Sequence, residues 1–226
     1  MRACVVIFPG SNAETEMIFT LRDVCGAHTS VAWHTDSQLP TGTDLVALPG
    51  GFSYGDYLRT GAIAKVSPIV AAIRAHAARG GYVLGVCNGF QILTEAGLLA
   101  GALTRNVHQR FECGDWFVQV AASGPFTPSP GAVWKLPVAH GEGRFQADAA
   151  TLRRLEGDGL VGLRYCSAGG AIDPAANPNG SMSAIAGIYG GPRRNVLGLM
   201  PHPERMSDPA LGGADGRALF ESVLAA

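Results

Sequence analysis

Charge is sparse in this chain. Only 15% of its 226 residues are Asp, Glu, Lys or Arg, and seventeen basic against eighteen acidic side chains leave a formal charge of -1. With no excess of either sign nothing in the balance points to a polyanionic partner, and neither nucleic acid nor anionic membrane is expected as one. Cysteine is also scarce. Cys4, Cys25, Cys87, Cys113 and Cys166 are odd in number, scattered and free of any C-x-x-C pair, which argues against a disulfide framework and against a zinc site. His28, His34, His76 and His108 lack metal-ligand spacing, so no metal is expected. The apolar run before Pro9-Gly10 is too short for a signal peptide and no later run reaches a membrane span; a cytoplasmic location is expected. A phosphate loop of G-x-x-x-x-G-K-[ST] type is missing, as are internal repeats and low-complexity tracts.

What is present is a hydrophobic content of 47%, enough for a well-cored chain, and one domain over residues 1–226 is the simplest count. Strand and helix patterns alternate. Cys4 to Phe8 reads as a strand, Pro9 to Asn12 as a turn, and Glu14 to Cys25 as a helix stopped by Gly26. Thr29 to Trp33 and Asp44 to Leu48 are further strands, and a helix from about Ser67 to Arg79 leads to a strand at Tyr82. Repeated strand-helix crossovers imply a mainly parallel sheet with helices on both faces. Phe111 to Ala121 and Ala132 to Ala139 read as added antiparallel strands, joined through the Pro/Gly/Ser-rich segment Gly124 to Gly131. Ala168 to Ser183 is rich in turn residues and reads as a surface loop, Val196 to Met200 as a last strand, and Ala214 to Leu224 as a closing helix. Trp33, Trp116 and Trp134 are expected in the core.

Three stretches carry chemistry. In YVLGVCNGFQILTEAG (Tyr82 to Gly97) a short apolar strand turns sharply at Cys87 into an amphipathic helix. Gly85 and Gly89, two positions either side, remove the Cβ atoms that would crowd such a turn, as in a G-x-S-x-G nucleophile elbow with Cys for Ser. The positive end of the helix then lies at the sulfur and favours the thiolate. The second stretch is Pro201-His202-Pro203-Glu204, where residues two apart in extended chain share a side. Glu204 can hold one ring nitrogen of His202 and aim the other at a nucleophile. The third is Pro49-Gly50-Gly51-Phe52, a turn whose Gly51 N–H, with that of Asn88, suits an oxyanion hole. All three fall at carboxyl ends of strands, where sites of parallel sheets collect.

Together they resemble the triad-type glutamine amidotransferases, with their G-x-C-x-G-x-Q elbow (Gly85 to Gln91) and late H-x-E motif (His202 to Glu204). The finer resemblance is to the glutaminase subunits of phosphoribosylformylglycinamidine synthase. GGFSYGDYLRTGAIA (Gly50 to Ala64), GVCNGFQ (Gly85 to Gln91), LTRNVHQRFEC (Leu103 to Cys113), AHGEGRF (Ala139 to Phe145), NPNGS (Asn177 to Ser181) and GLMPHPER (Gly198 to Arg205) follow that family's order, with Ala184 standing where asparagine is expected.

The resemblance implies a flavodoxin-like class I amidotransferase fold with a nucleophile elbow. It implies that Cys87 attacks the side-chain amide of glutamine, that His202 moves the proton and that Glu204 holds His202. Gly51 and Asn88 would form the oxyanion hole, Gln91, one helical turn after Cys87, would support or contact glutamine, and His140 and Gly141 would lie beside the pocket. Ser53, Tyr54, Asp56, Tyr57 and Arg59, which follow the oxyanion turn, line the pocket, face a partner or form a solvated loop. No cofactor is expected in this chain: ATP and magnesium would sit on a large synthetase subunit, accompanied by a further small subunit. The product would be formylglycinamidine ribonucleotide, made from formylglycinamide ribonucleotide in purine biosynthesis. Two other readings stand beside this one. Another cysteine-elbow hydrolase would explain Cys87 but neither His202-Pro203-Glu204 nor NPNGS; a non-catalytic assembly subunit would keep the motifs only for binding.

Overall fold

The computed structural model describes residues 1–226. In its first half the elements are β1 (Arg2–Ile7), α1 (Glu14–Phe19), β2 (His28–Trp33), β3 (Leu45–Leu48), α2 (Ile69–Ala78), β4 (Tyr82–Val86) and α3 (Asn88–Glu95). Then come β5 (Ala102–Thr104), β6 (Glu112–Val120), β7 (Val133–His140), β8 (Arg144–Gln146) and α4 (Ala149–Gly157). The chain ends with β9 (Val161–Cys166), β10 (Ile185–Gly190), β11 (Val196–Leu199) and α5 (Arg217–Ala225). α1 runs directly into a π-helical turn over Thr20–Val24, and the two together cover the helix expected from Glu14 onward.

One nine-stranded sheet organises the fold, in the order β2-β1-β3-β4-β11-β10-β9-β6-β7. The first five strands pair in parallel. From β11 outward every pairing is antiparallel. Every residue of β3 and β11 is buried, as are all but the two ends of β1 and the first residue of β4. Both faces of these strands are therefore covered, which is why their sequences are continuous apolar runs. β7 alternates buried and more accessible positions, with Trp134, Leu136, Val138 and His140 buried, as expected for a strand with one solvated face. A cluster of 52 buried residues runs from the parallel strands into Val118, Leu136 and Tyr165, so the antiparallel extension shares the same core.

Three expectations change. The antiparallel part is larger than two strands, because β9 and β10 join it and β5 pairs with β8 in a separate two-stranded ribbon. Ala168 to Ser183 is a surface loop only in its first half; Asn179 and Ser181 are buried. Trp134 is core and Trp116 half-buried, but Trp33 is 54% exposed. β2 is an edge strand: Ala32 points into the core while Val31 and Trp33 point away from it. No helix is long and apolar enough to cross a membrane.

Candidate active site

At the junction of β4 and α3, Cys87 adopts φ 51° and ψ -104°, outside the regions open to most L-residues. The flanking glycines make this turn possible. A Cβ on Gly85 would lie 2.5 Å from Leu93 Cδ1, and one on Gly89 would lie 2.1 Å from the Leu48 carbonyl oxygen. The Cys87 N–H donates to Leu199 O at 2.8 Å, tying the turn to β11. Its side chain is buried, and Sγ lies 3.7 Å from Ala139 O.

β11 lies beside β4, so the chain leaving it emerges next to the cysteine. His202 follows three residues later, its N–H donating to Pro137 O at 2.8 Å. The expected extended dipeptide is instead an extended His202 (φ -104°, ψ 85°) capping a single 3-10 turn, Pro203–Met206. Proline suits the first position of such a turn, and the turn still brings Glu204 Oε1 to 2.5 Å from His202 Nδ1. The Glu204 carbonyl accepts from Thr20 Oγ1 at 3.1 Å and Ser207 Oγ at 3.2 Å, so the π-helical turn after α1 helps to position it. Gly50 lies against the imidazole, where a Cβ would come within 2.6 Å of His202 Cε1.

His202 and Cys87 line one cavity of about 140 Å³. His202 Nε2 is buried and has no hydrogen-bond partner within the chain. Burial disfavours the imidazolium, but the Glu204 carboxylate and then the Cys87 sulfur outweigh it, and the ring is pushed up to about 10.

Gly51 is pressed against the chain after β1, where a Cβ would meet Gly10 O at 2.6 Å and Asn12 N at 2.9 Å. Its N–H donates to no group of the chain. The Asn88 N–H belongs to the first turn of α3, where no intrahelical acceptor exists. The Asn88 side chain accepts from Ser53 N–H at 3.1 Å and donates to Gln91 Oε1 at 2.9 Å, and Gln91 Nε2 donates onward to Glu142 O at 2.7 Å. Gln91 is thus a buried bridge between the cysteine helix and the β7–β8 connection, with one side on the cavity.

A larger cavity of about 220 Å³ adjoins the first and is also lined by Cys87. Gly51, Gln91, His140 and Gly141 line it. His140 is buried; burial first, and then the nearby His202, push it down to about 4, so it is a neutral imidazole.

A model of the CobB/CobQ-like glutamine amidotransferase domain matches residues 1–212. The chain is 53% identical over 227 residues to the phosphoribosylformylglycinamidine synthase subunit PurQ of Rhodospirillum rubrum, covering 99% of this chain and 98% of that one. To its counterpart in Bradyrhizobium diazoefficiens it is 52% identical over 226 residues, covering 99% and 97%. The chain belongs to the PurQ family. Among solved structures it is similar to a chain of PurLQS from Thermotoga maritima, with a TM-score of 0.85, 40% identity, and 99% and 97% of the two chains covered.

The six PurQ-like blocks of the sequence meet around these two cavities. Gly51, Asp56 and Thr60 come from the first, Cys87 and Gln91 from the second, Arg105 and Arg110 from the third, and His140 to Glu142 from the fourth. The last block brings His202 and Arg205 to the smaller cavity. The fifth, NPNGS, stands behind the wall. Asn179 Nδ2 donates to Gly143 O at 2.9 Å and lies 3.4 Å from His140 Nε2, and Ser181 Oγ accepts from Phe145 N–H at 2.9 Å. Arg105, Arg110 and Asn179 were not singled out from the sequence. Their membership of the LTRNVHQRFEC and NPNGS blocks was the available signal.

Proposed function

We propose that the 220 Å³ cavity binds glutamine and that Cys87, on a nucleophile elbow, hydrolyses its side-chain amide, making this chain the glutaminase subunit of phosphoribosylformylglycinamidine synthase. The observation that carries the reading is the meeting of Cys87 and His202 on one cavity, with Glu204 on the far ring nitrogen. The Cys87 thiolate attacks the amide carbon and the oxygen takes up negative charge, accepting from the Gly51 and Asn88 N–H groups. The His202 imidazolium gives its proton to the departing nitrogen; the C–N bond breaks, ammonia leaves and a γ-glutamyl thioester remains. Water then attacks the thioester, giving a proton to His202, and the C–S bond breaks to release glutamate. Glu204 keeps the ring oriented and stabilises its charge.

The ammonia serves a large synthetase subunit, which converts formylglycinamide ribonucleotide to formylglycinamidine ribonucleotide. ATP and magnesium belong to that subunit, and this chain carries no cofactor. A further small subunit completes the assembly, in keeping with the Thermotoga maritima structure named PurLQS. Residues 1–226 act as one amidotransferase domain of flavodoxin-like class I type, working in the cytoplasm.

The test is product formation by a reconstituted complex, with wild type and Cys87→Ala each supplied with glutamine or with ammonium salt. The variant is expected to lose glutamine-dependent synthesis and keep ammonia-dependent synthesis. Retained glutamine-dependent synthesis would overturn the proposal.

A further inference from the structure

Where α1 ends the helix widens instead of stopping. Thr20–Val24 is a π-helical turn, closed by the Cys25 N–H donating to Thr20 O at 2.9 Å. Such turns are rare and concentrate at functional sites. The residue that starts this one is Thr20, and it is fully buried. A helical threonine ordinarily turns its hydroxyl back on a carbonyl of its own helix, three or four residues earlier. Thr20 instead reaches across 184 and 187 positions of sequence, with Oγ1 3.1 Å from Glu204 O and 2.7 Å from Ser207 Oγ.

Ser207 Oγ lies 3.2 Å from the same Glu204 carbonyl, and all three residues are fully buried. The two hydroxyls and the carbonyl oxygen form a closed triangle of three contacts served by two protons. Two arrangements satisfy it. Either Thr20 donates to Ser207 and Ser207 to the carbonyl, or Ser207 donates to Thr20 and Thr20 to the carbonyl. Glu204 O keeps a donor in both. That carbonyl belongs to the residue whose Oε1 lies 2.5 Å from His202 Nδ1, so what holds it also holds the carboxylate against the ring. The 3-10 turn that carries Glu204 is only four residues long, and its other ties act further along it. Arg205 pairs with Glu16 at 3.5 Å from a partly exposed position, and the Gly216 N–H donates to Met206 O at 2.8 Å.

We propose that Thr20 and Ser207 are a redundant pair of positioning residues for proton transfer: either hydroxyl alone holds the Glu204 carbonyl in place, and only the loss of both lets the carboxylate shift on His202. The assignment rests on the glutaminase reading. Neither Thr20, Ser207 nor Glu204 lines the larger cavity, so a shifted Glu204 leaves glutamine binding intact. It misaligns the imidazole with the departing nitrogen, and small misplacements of a reacting group are costly in rate. The effect therefore falls on kcat and spares KM.

The experiment measures glutamine-dependent synthesis by the reconstituted complex for wild type, Thr20→Val, Ser207→Ala and the double variant, with ammonia-dependent synthesis as the control for assembly. Each single substitution is expected to lower kcat by about threefold or less, and the double by about 30-fold or more, with the KM for glutamine unchanged. Ammonia-dependent synthesis should be retained throughout. Thr20→Ser combined with Ser207→Ala restores one hydroxyl and should return kcat to the level of Ser207→Ala alone. If urea unfolding shows the double variant to be unstable, Thr20→Val with Ser207→Cys, which keeps a weaker donor beside the carbonyl, takes its place and should give an intermediate kcat. A double variant whose loss does not exceed the product of the single losses, or whose KM rises as kcat falls, overturns the positioning role and leaves the glutaminase reading intact. Failure of wild type to use glutamine at all overturns both.

Discussion

Glu204 Oε1 lies 2.5 Å from His202 Nδ1, while Glu204 Oε2, equally buried, meets no partner. The carboxylate is thus desolvated on both oxygens and compensated on one, an arrangement better suited to holding an imidazolium than to stabilising the fold. Glu204→Gln removes the charge at nearly constant shape and can present an N–H to Nδ1, forcing the wrong tautomer. Glutamine hydrolysis is expected to fall by about 10² to 10⁴ in kcat, and the thermal midpoint is expected to fall as well, because the buried imidazolium loses its counter-charge. A variant keeping more than about a tenth of wild-type kcat would contradict the role given to Glu204.

His140 gives the acid limb of stability a definite sign. Its folded value of about 4 lies below the ordinary 6.5, so between those pH values the unfolded chain binds a proton that the folded chain refuses. Stability from this residue is therefore present above 6.5, falls as pH drops to about 4, and amounts to about 3 kcal/mol. His202 acts in a different window. Its value is raised, so its contribution is complete below 6.5 and is lost as pH rises through about 10. Asp56, raised to about 6, opposes His140 in the acid range, so total stability does not isolate either group. The difference between wild type and His140→Gln does. Urea unfolding at pH 7 and pH 4.5 should show wild type losing about 2 kcal/mol more than the variant. Equal losses would mean that His140 is not a buried neutral imidazole.

Two glycines near the cysteine should fail differently when changed to alanine. A Cβ on Gly89 meets the Leu48 backbone at 2.1 Å, so α3 must lift from β3; about 3 kcal/mol or more of stability should be lost. A Cβ on Gly50 meets His202 Cε1 at 2.6 Å, and a ring can move where a strand cannot. Gly50→Ala should therefore leave the denaturation midpoint nearly in place and lower kcat by about 10², because the imidazole is displaced from Glu204. Paired unfolding and glutaminase measurements separate the two cases, and a Gly50→Ala enzyme of normal kcat would contradict the contact.

The three motifs were legible because their chemistry is local. The glycine spacing around Cys87 encodes close approach of one turn to its neighbours, and His202 and Glu204 are two residues apart in the chain and bonded in space. The parallel half of the sheet was legible because strands buried on both faces read as apolar runs. β9 and β10 were not, since VGLRYC and IAGIYG carry glycines, and β9 an arginine, that interrupt any simple pattern. The burial of Asn179 escaped for a related reason. Its partners Gly143 and His140 lie more than thirty residues away, and a turn-rich NPNGS segment looks the same from the sequence whether it faces water or braces a wall.

Gln91 offers a direct test of that bracing. Its side-chain oxygen accepts from Asn88 and its nitrogen donates to Glu142 O, so both ends of the amide are used by the protein. Gln91→Glu keeps the acceptor for Asn88 but sets a carboxylate oxygen against the Glu142 carbonyl. Two buried acceptors then face each other, which should cost about 1 to 3 kcal/mol of stability. The end of β7 and its connection to β8, which carry His140, Gly141 and Glu142, should swing away from α3 and loosen the cavity. The expected kinetic result is a KM for glutamine raised by about tenfold or more, with a smaller fall in kcat, because Cys87, His202 and Glu204 are held by other contacts. Gln91→Met, which fills the space without the repulsion, should recover part of the stability but not the low KM. A Gln91→Glu enzyme with wild-type stability and KM would show that the bridge to Glu142 does not shape the site.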